Sequence, residues 1–161
     1  MLPEKTPIPI LQGHGCFACG TNNPIGLKME FYRQGNSVCS DVVLNQDHVG
    51  WENMVHGGII STLLDEVMSW TVIYFKKSFS VTRRMQVRYL RPVPASVQLT
   101  VKGQITSDDK ARSCQAEAIL QDGEGNVLAK GEGDFAVLSG DKLGALPEDF
   151  RKQMTELFRK F

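Results

Sequence analysis

The residues best suited to chemistry lie in one short stretch, MVHGGIISTLLDEVMSW, at positions 54–70. A His-Gly-Gly triplet that starts at His56 stands directly before a long apolar pattern with helical spacing, and Asp65 and Glu66 interrupt that pattern. The first N–H groups of a helix have no partner within the helix and lie at the positive end of its dipole. Because glycine has no side chain, another group can approach these N–H groups closely. The stretch therefore predicts an oxyanion site at a helix N-terminus, with a carboxylate further along the helix.

Asp65 lies eight positions after Gly57, which is about 12 Å along the axis of an ideal helix. One helix therefore cannot place its Asp65 carboxylate beside its own N-terminal N–H groups. If both groups serve one site, the carboxylate must come from a second copy of the chain. Two antiparallel helices across a two-fold axis would then form two identical sites. A packed turn before a helix with a solvated polar face fits the same residues, so the spacing leaves both interpretations open.

The helix itself is predicted to begin just after His56-Gly57 and to end near Lys76 and Lys77, because apolar residues recur at three- and four-residue spacing between these points. Two alternating segments precede it, and the first, PIGLKMEFYRQGN, predicts a half-buried strand through Leu27 and Phe31. Four alternating segments and a short amphipathic helix follow it. Short turns between those four segments require antiparallel pairing. One long helix against one antiparallel sheet is an α+β architecture.

The strand after the helix, SVTRRMQVRYLRPV, alternates regularly. This alternation predicts that Thr82, Arg84 and Arg88 share one face of the sheet. No Asp or Glu occurs from Val67 to Ser107, and that window carries seven basic residues. They are Lys76, Lys77, Arg83, Arg84, Arg88, Arg91 and Lys102. Such a window suits a small anionic ligand, and it also suits a solvated face balanced by the acidic C-terminal half.

The bulk composition is that of a globular protein, with 161 residues, 42% of them apolar and 22% charged. This length fits one domain, with a predicted core at about 24–138, an N-terminal cysteine-containing turn at 1–23 and a C-terminal helix at about 147–160. No run of 18 apolar residues occurs, so no membrane span is expected. The N-terminus lacks the features of a secretory signal, so we expect a cytoplasmic protein. The formal net charge of zero argues against nucleic-acid binding.

Two of the four cysteines, Cys16 and Cys19, form the motif HGCFACG. A zinc site usually needs four ligands, and no second Cys-x-x-Cys pair is present. A redox pair usually opens a helix, whereas Asn, Pro and Gly residues follow this motif. We therefore predict two free thiols in a packed turn and no metal, with a metal site as the alternative that His48 or Cys39 would have to complete.

The segment HGGIISTLLDEVM, followed by SVTRRMQVRYLRPVP, strongly resembles the hotdog-fold acyl-CoA thioesterases of the phenylacetyl-CoA thioesterase (PaaI-like) group. The resemblance covers about residues 24–137, and CFACGTNNPIGL also resembles a subgroup of this superfamily. It implies the hotdog fold, in which an antiparallel sheet wraps one long central helix. It further implies a homodimer or a dimer of dimers with sites at the subunit interface, and no metal or bound cofactor.

The resemblance also implies roles for individual residues. The Gly57 N–H would polarise the thioester carbonyl, and Asp65 of the partner subunit would be the general base for water or the nucleophile. Ser69 and Thr82 would orient the water or the acyl group, and His56 would shape the turn. Because neighbouring helical residues point about 100° apart, Asp65 and Glu66 cannot both face one site, and the spacing favours Asp65.

The substrate implied is an acyl-CoA, although a thioester of an acyl-carrier protein is also compatible. The predicted binding residues are Asn53, Gly58, Arg84, Arg88, Lys76 and Lys77. Many relatives carry an Asn or Gln in the loop before His-Gly-Gly, where this chain has Gly50, with Asn53 as a possible substitute. This departure keeps open a non-catalytic acyl-CoA-binding or regulatory hotdog protein. A hydratase is a weaker alternative, because none of the three histidines has the surroundings that such enzymes use.

Overall fold

The computed structural model describes residues 3–109 and 112–161, so the start of the predicted N-terminal turn lies outside the described residues. Its strands are β1 Thr6–Ile8, β2 Phe31–Gln34, β3 Ser37–Val43, β4 Val49–Trp51, β5 Met54–Val55, β6 Ser80–Tyr89, β7 Gln98–Asp109, β8 Ser113–Asp122 and β9 Val127–Val137. Its helices are α1 Gly57–Lys76 and α2 Glu148–Phe158, with short 3-10 turns at Gln46–His48 and Gly140–Ala145.

Seven strands form one antiparallel sheet in the order β1-β2-β3-β7-β8-β9-β6. The sheet wraps α1, whose apolar face supplies much of the core. The buried residues of this helix are Ile60, Leu63, Leu64, Val67, Met68, Trp70, Thr71 and Val72. The predicted α+β hotdog fold is confirmed, and α1 has the predicted bounds.

Glycines in the sheet let α1 approach the strands closely. A methyl group at Gly103 on β7 would collide with Thr71 Oγ1, and one at Gly131 on β9 would lie 3.2 Å from Leu64 Cβ. Thr71 is buried, and its hydroxyl donates to the Val67 carbonyl one turn earlier. The absence of a side chain at Gly103 and Gly131 therefore allows α1 to lie this close to the sheet.

Helix α1 is long and apolar enough to cross a membrane by length and composition alone. The core helix of a globular protein passes the same test, and α1 packs against β3, β6, β7, β8 and β9.

The N-terminal third differs from the predicted pattern. The strand predicted through Leu27 begins only at Phe31, because Lys28 has a left-handed backbone with φ 54°. Met29 is nevertheless buried, and its N–H donates to the Ala18 carbonyl in the cysteine-containing turn. The loop before α1 contains the small β4–β5 hairpin, and β1 adds an edge strand that the sequence pattern did not indicate. Strand β7 continues through Asp109, so its turn to β8 lies after that residue.

The C-terminal helix α2 covers one end of the core. Met154 and Leu157 are buried, and Phe158 meets Phe79 edge-on with ring centroids 5.4 Å apart. Phe161 packs against Tyr74 near the end of α1. The apolar stripe predicted for this helix therefore seals the core beside the C-terminus of α1.

Candidate active site

The start of α1 leaves one main-chain N–H group free. His56 is the N-cap, and its Nδ1 accepts a hydrogen bond from the Gly58 N–H at 2.9 Å. The His56 carbonyl accepts from the N–H groups of Ile59 and Ile60. Within the described residues, no group accepts a hydrogen bond from the Gly57 N–H. The Gly57 N–H is therefore the available oxyanion donor, whereas the predicted donor Gly58 serves the helix cap.

A tyrosine that the sequence pattern did not single out lies over this turn. The Tyr89 hydroxyl donates to the Gly57 carbonyl at 3.1 Å and lies 2.6 Å from Ser61 Oγ. A methyl group at Gly57 would come within 3.5 Å of the Tyr89 ring. The end of β6 thus fixes the first turn of α1, and Tyr89 lies next to any ligand that approaches the Gly57 N–H.

An open groove of about 600 Å³ begins at this turn. Its walls include Trp51 and Met54 of the β4–β5 hairpin and Leu90 after β6. The Trp51 side chain is 79% exposed and Leu90 is 44% exposed, although both are large and apolar. A groove with such walls fits an acyl chain, a second copy of the protein, or both together.

Asp65 and Thr82 are brought together on another part of the surface. Thr82 Oγ1 donates to Asp65 Oδ1 at 2.8 Å, which fixes the orientation of a half-buried carboxylate. Ser69 lies one helical turn after Asp65 and is also half-buried. Since Asp65 is eight positions along α1 from Gly57, about 12 Å along the axis, each chain carries two separate halves of the predicted site.

A β-bulge in β6 overturns the predicted sharing of one face by Thr82, Arg84 and Arg88. Thr82 pairs with the buried Phe135 and Arg84 pairs with its neighbour Asp134, so Arg83 is an extra residue on β6. Directly opposed residues project from the same face. Thr82 therefore faces α1, whereas the arginines at 84 and 88 project from the opposite face of the sheet, away from Asp65 of the same chain.

Lys76 and Lys77 lie at the far end of α1. Lys76 Nζ forms a salt bridge with Asp108 at 2.7 Å, and its side chain is only 17% exposed. Lys77 is the left-handed C-cap, and its Nζ donates to the Phe161 carbonyl at 3.0 Å. Both lysines, predicted as substrate-binding residues, thus already have structural partners, about 28 Å from the helix start.

The loop before α1 holds its residues in turn geometry. Asn53 has φ 57°, and its side-chain Oδ1 accepts from Gln46 Nε2 at 3.2 Å. A methyl group at Gly50 would lie 3.1 Å from the His56 ring, so glycine allows the loop to pack closely on that ring. The structure therefore uses Asn53 as a turn residue of the β4–β5 hairpin.

Glu66 has a different environment from Asp65. Its Oε1 accepts from Trp70 Nε1 at 3.1 Å and lies 3.9 Å from Cys16 Sγ. Burial, together with the charge of the nearby Cys16, raises the pKa of the Glu66 carboxyl to about 7. Hydrogen bonding from the Cys19 thiol lowers the pKa of Cys16. The side chains of Cys16, Cys19 and Glu66 lie close enough to one another to hold a metal ion. This group is separate from the Asp65–Thr82 pair.

Residues 52–128 match the sequence model of the thioesterase superfamily. This stretch of the chain is therefore similar to the thioesterase superfamily. The matched region contains Gly57, Asp65 and Thr82, together with all of α1. A comparison with curated protein sequences gave no match.

Solved structures of thioesterase-superfamily proteins share the fold of this chain. A thioesterase superfamily protein with 23% identity has a TM-score of 0.71 over 80% of this chain and 69% of its own. The Escherichia coli PaaI protein from the phenylacetic acid degradation operon has 16% identity and a TM-score of 0.64 over 71% of this chain and 82% of its own. A hypothetical thioesterase from Streptococcus pneumoniae, solved with coenzyme A, has 21% identity and a TM-score of 0.61 over 65% and 80%.

Proposed function

We propose that the chain is an acyl-CoA thioesterase of the PaaI-like group, which hydrolyses an acyl-CoA to the free acid and CoA. The observation that carries this proposal is that one helix has both a free N–H group at Gly57 and a carboxylate of fixed orientation at Asp65. Their separation of about 12 Å suits a homodimer in which each site takes one group from each copy. The match of residues 52–128 to the model of the thioesterase superfamily supports the reaction class.

In this mechanism the thioester carbonyl oxygen accepts a hydrogen bond from the Gly57 N–H. Asp65 of the partner subunit takes a proton from water as the water attacks the carbonyl carbon, and the hydroxyl of Thr82 holds that carboxylate in place. The tetrahedral intermediate carries negative charge on the oxygen, and loss of one such donor typically costs about 3 kcal/mol of barrier. Collapse of the intermediate breaks the carbon–sulfur bond, and the proton leaves with the CoA thiol.

The apolar groove at the start of α1 supports an acyl chain as the group next to the carbonyl. The Streptococcus pneumoniae relative was solved with coenzyme A, which supports CoA as the carrier. An acyl-carrier protein presents the same thioester on the same kind of pantetheine arm, so it is the alternative carrier.

The test is release of free thiol from a panel of acyl-CoAs that runs from short to long and from aliphatic to aromatic. We expect turnover by the wild type and a fall of at least about a hundredfold in Asp65→Asn, because general-base catalysis contributes this much. Asp149→Asn, which removes an exposed carboxylate on α2, is the matched control and should retain wild-type rates. Wild-type turnover in Asp65→Asn would contradict the assignment of the base.

A non-catalytic acyl-CoA-binding protein is the second candidate. It is favoured by the loop before α1, where Asn53 is used in a turn and its Oδ1 is bound to Gln46. Calorimetric binding of acyl-CoA without thiol release from any member of the panel would support this candidate over the thioesterase.

A further inference from the structure

The N-terminal motif HGCFACG meets the central helix beside the candidate active site. Cys16 Sγ, Cys19 Sγ and a carboxylate oxygen of Glu66 all lie within 4.8 Å of one another. Among the residues that the structure describes, this is the one group of three or more potential ligands that close together. Two of its members come from the N-terminal turn and one comes from α1, so the cluster exists only in the folded chain.

The cysteine turn is tightly folded around Cys16. The Gly20 N–H donates to the Cys16 carbonyl at 2.9 Å, and a methyl group at Gly20 would collide with the Cys16 main chain. Hydrogen bonding from the Cys19 thiol, and from the main chain of Cys19 and Ala18, lowers the pKa of Cys16. Such donors stabilise a thiolate, which is the form of cysteine that binds metals.

Glu66 is a half-buried acid that lacks a cationic partner. None of the salt bridges among the described residues includes it. The indole N–H of Trp70 donates to its Oε1 and fixes its orientation, and Trp70 in turn stacks on Phe31 with ring centroids 4.8 Å apart. Removing a carboxylate even partly from water is costly unless a cation compensates its charge, and a bound metal ion would do so.

His14 supplies a fourth candidate ligand two positions before Cys16. Its Nε2 is buried, and no group in the described parts of the chain forms a hydrogen bond with it. The His14 carbonyl accepts from the Asn22 N–H, so the residue belongs to the same closed turn as both cysteines. An imidazole nitrogen without a hydrogen bond in a buried position is unusual, and coordination would explain it.

We propose that Cys16, Cys19 and Glu66 bind one zinc ion, and that the imidazole of His14, which lies outside the group of atoms within 4.8 Å of one another, moves in as the fourth ligand. Thiolate and imidazole ligands favour zinc over the hard cations. Zinc bonds of about 2.3 Å to sulfur and about 2.1 Å to oxygen put a tetrahedral sulfur–oxygen pair roughly 3.6 Å apart, close to the observed 3.9 Å between Cys16 Sγ and Glu66 Oε1. The search for a second cysteine pair misses this site, because its third ligand comes from α1.

Four protein ligands would leave no open position, so the ion has a structural role. It joins the N-terminal turn to α1 at the residue directly after Asp65. Binding requires that the thiols and the carboxyl group lose their protons to solvent. The zinc site does not depend on the proposed hydrolysis, and its readouts below are independent of activity.

The test uses the untagged, full-length protein purified without chelator. We expect about one equivalent of zinc per chain by mass spectrometry of the metal content, since the site has four ligands. After removal of zinc, Co²⁺ should give thiolate-to-metal charge-transfer absorption and the intense visible bands of tetrahedral cobalt. Cys16→Ser and Glu66→Gln should each weaken Co²⁺ affinity at least about tenfold, and His14→Ala should change the visible bands.

The matched control is Cys39→Ser, which alters a buried thiol on β3 outside the cluster and should leave the stoichiometry unchanged. If the ligand variants fail to fold, thiol labelling of the wild type is decisive. Zinc should protect Cys16 and Cys19 from alkylation, and a chelator should expose both, as located by peptide mass spectrometry. A wild type that binds neither zinc nor Co²⁺, or one that is isolated with a Cys16–Cys19 disulfide, would overturn the zinc site.

Discussion

Two adjacent acids on α1, Asp65 and Glu66, have separate environments because of helical geometry. Asp65 accepts from the exposed Thr82, whereas Glu66 accepts from Trp70 and lies beside Cys16. Side chains at neighbouring helical positions point about 100° apart, so one acid faces a surface and the other faces the N-terminal turn. The same helix can therefore carry a candidate catalytic group and a candidate structural ligand next to each other.

Thr82→Val tests how Asp65 is held. The substitution removes the hydroxyl but keeps the shape, so we expect kcat for thioester hydrolysis to fall roughly tenfold, as for loss of one hydrogen bond to a charged group. KM should change little, because Thr82 contacts the carboxylate. Steady-state kinetics beside the control Thr155→Val, on exposed α2, would check this. An unchanged kcat would show that Asp65 needs no positioning.

The sequence was sufficient to predict how far apart two candidate site residues lie when both are on the same helix. Gly57 and Asp65 are eight positions apart on one helix, and that relation needs no tertiary information. Tyr89 and Ser61 were missed because their contact joins β6 to α1, and a tyrosine in an alternating strand carries no signal of its partner. The contact of Glu66 with the cysteine turn was missed for the same reason.

The elements that were predicted best are those with a long, regular period. The bounds of α1 and the four strands after it follow from such patterns, whereas β1 has only three residues and no detectable alternation. The bulge at Arg83 could not be predicted, because the alternation of residue types along β6 does not show where an extra residue is inserted. That single residue decides which face of the sheet Thr82 occupies.

Close packing of α1 on the sheet can be tested at Gly103. Gly103→Ala should lower the free energy of unfolding by about 1–3 kcal/mol, because the added methyl group collides with Thr71 in a packed core. Gly123→Ala is the control, since a methyl group there meets no atom within 4 Å. Denaturant unfolding of both variants would measure the difference. Equal stability would mean that helix and sheet can separate at little cost.

Asp41 joins four strands, since it accepts hydrogen bonds from Lys5, Tyr32 and Thr100 around β1, β2, β3 and β7. Burial opposes ionisation, but these hydrogen bonds outweigh it and lower the pKa of Asp41 below its ordinary value of 3.8. A lowered native pKa means that the carboxylate stabilises the fold above the unfolded value, and that this contribution is lost as the pH falls through the native pKa.

Asp41→Asn should therefore destabilise the protein at pH 7 by no more than about 1 kcal/mol, because the site is partly exposed. The difference from wild type should shrink as the pH falls below about 4. Urea unfolding across this range, with the exposed Asp47→Asn as control, would check the sign. A difference that grows in acid would contradict the assigned shift.

At the scale of the whole molecule, the two halves of the proposed site predict complementation between copies. Gly57→Pro removes the N–H donor and adds a ring beside Tyr89, where a Cβ atom is in ordinary contact, and proline is tolerated at the first position of a helix. Gly57→Pro and Asp65→Asn should each be nearly inactive as pure proteins. In a heterodimer of the two, one site regains both groups, so a randomly assorted equal mixture should recover about a quarter of wild-type activity per chain.

The measurement is thiol release after the two variants are co-expressed or unfolded and refolded together. Mixing without subunit exchange is the control and should leave both inactive. No recovery in dimers shown to be mixed would mean that each chain completes its own site, contrary to the spacing on α1.

The spacing on α1 has one more consequence for a symmetric pair. If Gly57 of each copy faces Asp65 of the other, Ser61 lies midway between these two positions on the helix. Ser61 of one copy must then lie next to Ser61 of the other. In such a dimer, a substitution at Ser61 occurs twice, once on each side of the two-fold axis. An added charge would therefore be repelled by the same charge on the other copy, and an added thiol would lie next to the thiol of the other copy. Ser61 Oγ also lies 2.6 Å from the Tyr89 hydroxyl, so the two-fold axis of such a pair would be linked to the first turn of both helices.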